Sequence, residues 1–96
     1  MRPSLALERK RSAIRDTASR FPVANPRVFG SVLHGTDQEG SDLDLLVDAL
    51  PGATLFDLGG LQAELEDLLG VPIDVRTPAE LSPRFRAQVP AEAEPV

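Results

Sequence analysis

Residues 30 to 48 read GSVLHGTDQEGSDLDLLVD, a Gly30-Ser31 pair followed after ten intervening residues by Asp42 and Asp44. Leu43 to Val47 has the pattern of a strand, and side chains two apart on a strand share a face. The two carboxylates then stand side by side, about 6.6 Å apart along the backbone. At that separation like charges repel by about 2.5 kcal/mol for an effective dielectric of about 20. A structural strand seldom keeps such a pair without a cation. A third acid, Asp74, lies in VPIDVRT on the same face as Arg76 and opposite Ile73 and Val75. Pairing that segment beside the first brings a third carboxylate to the other two.

Three acidic oxygen donors without an imidazole suit Mg²⁺ or Mn²⁺, and a metal held by few carboxylates completes its shell with water and phosphate. The implied ligand is a nucleoside triphosphate. Gly30 and Ser31 then have a part: a strand turning into a short helix there lets a phosphate approach the glycine backbone. The Ser31 hydroxyl and the first helical N–H groups bind its oxygens. Other chemistries fail on specific residues. Gly30 and Gly35 have P-loop spacing, but Thr36 stands where that motif needs lysine. Ser31 near His34 lacks the G-x-S-x-G elbow of a hydrolase. A calcium loop from Asp37 or Asp42 meets Leu43, Leu45 and Leu46 where oxygen ligands belong.

The elements that must position these groups are legible around them. Leu7, Ile14, Ala18 and Phe21 recur at helical spacing with basic residues between, predicting an amphipathic helix over 4–20, ended by Pro22 and Pro26. Arg27 to Phe29 reads as a short strand, Thr36 to Ser41 as a polar loop, and Leu43 to Val47 as a strand covered on both faces. Thr54 with Asp57 resembles a capping box, and Leu58, Leu61, Leu65 and Leu68 form a stripe closed by Gly70. Gly59 and Gly60 predict either an irregular first turn or a regular helix that begins nearer Leu61. Residues 71–76 form a third strand, with Pro72 favouring an edge. Thr77-Pro78 and Ser82-Pro83 predict one or two short helices that bury Leu81, Phe85 and Val89. The fold class is α/β (α+β), a small mixed sheet flanked by helices.

The chain has 96 residues, which suits one domain over 1–96, with residues 90–96 a short tail that has little to bury. It has no cysteine and one histidine, so thiolate metal sites and disulfides are excluded. Residues 1–27 carry net +5 and the remainder net −10. No general nucleic-acid binder has this balance, and the basic segment reads as a solvated helix face. ERKR near the start argues against a signal peptide, and no apolar run reaches the length of a membrane span, so a cytoplasmic location with no membrane partner is expected.

Gly30-Ser31, ten residues, then Asp42-x-Asp44 resembles the signature of the DNA polymerase β-like nucleotidyltransferase superfamily. The short length is similar to its minimal nucleotidyltransferase branch, and VFGS, SDLDLLVD, the leucine-striped helix, VPIDV and the closing SPRFRAQVPAEAEPV follow in that branch's order. Members often carry arginine where His34 stands. The resemblance implies an antitoxin encoded beside a HEPN-domain ribonuclease toxin, transferring AMP from ATP to a tyrosine hydroxyl of that toxin. It assigns Asp42, Asp44 and Asp74 to catalysis and to two Mg²⁺ ions, and Gly30, Ser31, His34 and Ser41 to the nucleotide. Two other readings stay open: an antitoxin that masks the toxin by contact alone, and a nucleotidyltransferase acting on a small molecule.

Overall fold

The computed structural model describes residues 1–96. The elements in order are α1 (Pro3–Ala18), β1 (Val23–Phe29), α2 (Gly30–His34), β2 (Leu43–Ala49), α3 (Leu55–Leu69), β3 (Ile73–Arg76), a 3-10 turn (Pro78–Glu80), α4 (Gln88–Glu92) and β4 (Glu94–Pro95). They build the expected mixed α/β architecture around one sheet of order β3-β2-β1-β4. β1 runs antiparallel to β2 and β4, whereas β2 and β3 are parallel and need the α3 crossover between them.

Alternation along β2 decides which face is which. Leu43, Leu45 and Val47 join Val28, Ile73 and Val75 beneath Ile14 of α1 and Leu61 and Leu65 of α3, forming the main core. Asp44, Leu46 and Asp48 point the other way. Leu46 is fully buried outside that core, which explains why the strand reads apolar on both faces. α3 is continuous from Leu55, contrary to the irregular or later start predicted from Gly59 and Gly60. In its capping box Asp57 N donates to Thr54 Oγ1 and Thr54 N to Asp57 Oδ2, and Gly70 closes the helix in the left-handed conformation. β3 lies at the sheet edge, as Pro72 suggested, and α3 side chains cover its outer N–H groups. Gln62 Oε1 accepts from Val75 N at 3.1 Å and Glu66 Oε2 from Ile73 N at 3.2 Å.

Three elements differ from the sequence-based expectation. α1 is interrupted at Lys10, whose backbone leaves the helical region while its Nζ donates to the Leu68 carbonyl at 2.9 Å. β1 begins at Val23 rather than Arg27, because Pro26 falls in a bulge. Asn25 takes φ 53° there, and Pro26, which has no N–H to give, instead accepts from Val96 N at 3.1 Å. The closing residues are not a tail with little to bury: Glu94–Pro95 pairs with β1, and Val96 lies in the core. No helix is long and apolar enough to cross a membrane.

Candidate active site

The sheet face opposite α1 and α3 carries the site. Across three strands Phe29 of β1 stands in register with Asp44 of β2, and Asp44 with Asp74 of β3. Two residues along, Arg27, Leu46 and Arg76 form the next row. The chain beyond β3 folds back over this face, its 3-10 turn against β2 and Leu81 buried.

Asp44 is the electrostatic centre. Its carboxyl is pushed up to about 6, first by burial, then by the charges of Asp74 and Asp42, with Arg76 acting in the opposite sense; no hydrogen bond contributes. Gly30 fixes its other side. Gly30 has φ +75°, and a Cβ there would run into Asp44 Oδ2, so only glycine lets the β1–α2 turn come this close. Asp74 accepts from Arg76 Nε at 2.9 Å, a bond that raises the arginine's pKa further. Asp42 is exposed just ahead of β2. No three of the Asp, Glu and His side chains are gathered at metal-ligand spacing, and Asp74 is held by Arg76. The donor set nevertheless suits a hard divalent ion: carboxylate oxygens only, crowded enough to raise the cost of ionising Asp44, under a glycine that leaves room for it.

Of the residues expected to bind nucleotide, the structure brings Gly30 beside the carboxylates and places Ser31 next to it in the first turn of α2. The other two are engaged elsewhere. The His34 Nε2 lies 3.5 Å from Glu92 of α4, and Ser41 Oγ accepts from Gln38 N at 2.9 Å, holding the loop turn.

Two features escaped sequence reading. Asp37, in the loop leading to Asp42, is only 5% exposed and accepts from Ser4 N at 2.9 Å, capping α1 from a distance in sequence. That hydrogen bond holds its carboxyl below the usual range. A cavity of about 370 Å³ also opens beside Asp74, walled by Phe29, Leu81, Phe85 and Val89, with Arg76 and Ser82 completing it. Phe85, expected in a helix core, is 43% exposed on a turn, and Val89 is half-buried. The cue for Phe29 was its phase: Val28 faces the core, so its neighbour must face the site.

Comparisons with known proteins agree with this fold. Residues 10–93 match the family model described as nucleotidyltransferase domain. The chain is 37% identical over 71 residues to a protein of Methanocaldococcus jannaschii named a putative protein adenylyltransferase, covering 74% of this chain and 76% of that one. It is 38% identical over 61 residues to protein adenylyltransferase MntA of Thermococcus cleftensis, covering 64% of this chain and 62% of that one. A solved structure described as a putative minimal nucleotidyltransferase is 43% identical, with a TM-score of 0.86, and the match covers 97% of this chain and 95% of that one. A crystal structure of a toxin-antitoxin with AMP-PNP shares the fold at 21% identity and TM-score 0.74, over 88% of this chain and 69% of that one. On the family match and these relatives, the chain belongs to the nucleotidyltransferase domain family as an enzyme of the minimal nucleotidyltransferase type.

Proposed function

We propose that this chain is the antitoxin of a toxin–antitoxin pair and a Mg²⁺-dependent adenylyltransferase that moves AMP from ATP to a tyrosine hydroxyl of a HEPN-domain RNase toxin. The observation that carries this reading is the crowding at Asp44, whose carboxyl is pushed up to about 6 between Asp42 and Asp74. Such a cluster, offset only by Arg76, favours a divalent cation and the phosphates that accompany it. Relatives named adenylyltransferases, and a fold shared with toxin–antitoxin structures, support the direction of transfer and the kind of partner.

Asp42, Asp44 and Asp74 would hold Mg²⁺, which when bound neutralises the triphosphate and activates the acceptor oxygen. Asp44 ionises by pH 7 despite its raised pKa. Gly30 lets a phosphate approach the backbone, and the Ser31 hydroxyl donates to a phosphate oxygen. A tyrosine hydroxyl, with a pKa of about 10, needs a proton acceptor to attack at neutral pH. Asp74 takes that proton while Arg76 holds its carboxylate in place. The phenol oxygen bonds to the α-phosphorus and pyrophosphate leaves.

The test is to incubate the chain with the helical toxin encoded beside it, Mg²⁺ and ATP. The toxin should gain the mass of AMP on a tyrosine and stay inactive after the antitoxin is removed. This chain contains no tyrosine, so modified tyrosine belongs to the partner. An inhibited toxin of unchanged mass would replace catalysis with masking by contact.

A further inference from the structure

The cavity beside Asp74 is lined by neither Gly30 nor Ser31, where the triphosphate is placed, nor by Asp42 or Asp44. Of the carboxylates only Asp74 reaches it, and on the reading above Asp74 serves the acceptor. Its volume of about 370 Å³ is at the small end for ligand sites, enough for one ring and its attachment. Four apolar walls, Phe29, Leu81, Phe85 and Val89, reward burial of that ring. The wall is also held in shape. Arg86 donates to the carbonyls of Leu81 and Ala79 at 3.0 and 3.2 Å, and the Arg84 guanidinium sits 5.5 Å from the Phe85 ring centroid.

We propose that this cavity seats the aromatic ring of the acceptor with its hydroxyl at Asp74, so that the enzyme selects a phenol over an aliphatic hydroxyl. The proposal rests on the adenylyltransferase reading and adds where its acceptor binds. Transfer balances with ATP as the co-substrate: the phenol O–H bond breaks, its proton passes to Asp74, and the oxygen bonds to the α-phosphorus. The α–β anhydride bond breaks and pyrophosphate leaves. A serine or threonine hydroxyl brings no ring to bury against these walls. Arg76 Nε and Asp74 Oδ2 hold one another at 2.9 Å, which leaves Asp74 Oδ1 for an acceptor hydroxyl. An adenine ring is the competing occupant. A base seated here would occupy the acceptor's approach to Asp74.

The chain has no tryptophan and no tyrosine, so the fluorescence of N-acetyl-tyrosinamide reports its binding directly. Titrated against the Mg²⁺-ATP-loaded chain, this probe should saturate, N-acetyl-serinamide should not compete, and Phe85→Ala should weaken the phenol by about tenfold. Phe85 is 43% exposed, so the variant keeps the fold. Val89→Ala should give a smaller loss in the same direction. ATP affinity, read by calorimetry, should be the same in the parent and both variants. Phenol binding that never saturates, or that Phe85→Ala leaves unchanged, overturns the proposal; so does a loss of ATP affinity in Phe85→Ala, which would place the nucleobase in the cavity. A parent that binds the phenol but not Mg²⁺-ATP would instead strike the nucleotide reading and leave the ring site standing.

Discussion

Asp44 and Asp74 are register partners on parallel neighbouring strands, and the charge of Asp74 adds to the burial that pushes Asp44 up to about 6. The site is therefore built at a cost to the ligand-free fold. In the unfolded chain Asp44 titrates near 3.8, so between that value and about 6 the native state binds more protons. The penalty is absent below pH 3.8, grows as pH rises, and is complete above about 6.

Asp44→Asn removes that penalty and should raise the melting temperature of the metal-free protein at pH 8. Discounting for the partial exposure of Asp44, the gain is on the order of 1 kcal/mol, or about 4–8 °C for a domain of this size. At pH 4 the gain should nearly vanish. A variant equally stabilised at both values would mean that Asp44 carries no ionisation cost. The same substitution should abolish the stabilisation that Mg²⁺ with ATP gives the parent by mass action.

Gly30→Ala meets both a left-handed backbone and the Asp44 carboxylate. Gly35→Ala meets the backbone strain alone, since Gly35 has φ +72° and nothing within 4 Å of a Cβ. Both should destabilise by about 1 kcal/mol or more, Gly30→Ala by clearly the larger amount. Combining it with Asp44→Ala should recover part of the difference. Equal losses in the two glycine variants, read by urea unfolding, would dismiss the close approach of Gly30 to Asp44.

Asp37→Ala leaves Ser4 N without its acceptor and unpins the loop that leads to Asp42. The cost should be about 1–2 kcal/mol at pH 7. The folded carboxyl lies below its unfolded value of 3.8, so this stabilisation is fully present above 3.8 and is lost as pH falls through the folded pKa. Parent and variant should thus converge in strongly acidic buffer. Thermal melts that stay separated there would mean Asp37 contributes by packing rather than by its charge.

Much of this was legible from residue pattern because the positions concerned obey local rules. The Thr54–Asp57 box and Gly70 bracket α3, the phase of LDLLV separates core from site, and Thr77-Pro78-x-Glu80 caps the 3-10 turn. What stayed hidden depends on contacts between distant segments. Asp37 caps a helix 33 positions away, which no window around Asp37 reveals. Residues 94–96 look polar and short, yet the backbone of β1 needs a partner on its outer side, and Val96 fills the core beneath it. The family resemblance assigns His34 and Ser41 to the nucleotide, but their side chains here meet Glu92 and the Gln38 backbone. The cavity beside Asp74 is assembled from β1, β3 and the 81–89 segment, so neither Phe29 nor Phe85 announces it alone.

Ser31→Ala and Asp74→Asn divide the proposed site between its two substrates. Ser31 stands at the head of α2 beside Gly30, where the proposal puts the triphosphate. Losing its hydroxyl should weaken ATP by about 1–2 kcal/mol through one charge-assisted hydrogen bond, raising KM while sparing kcat at saturating ATP. Asp74 lines the cavity, where the proposal puts the acceptor, and is held by Arg76 at 2.9 Å. Asparagine keeps the shape of that carboxylate but neither accepts the hydroxyl proton nor brings its charge to the metal. Turnover should fall by about 10²-fold or more, while ATP affinity measured by calorimetry changes little because Asp42, Asp44 and Ser31 remain. Capture of the toxin in a pull-down should persist, since a protein contact surface does not depend on one half-buried acid. If Asp74→Asn transfers AMP at the parental rate, Asp74 is only the structural partner of Arg76, and proton removal must lie with another group.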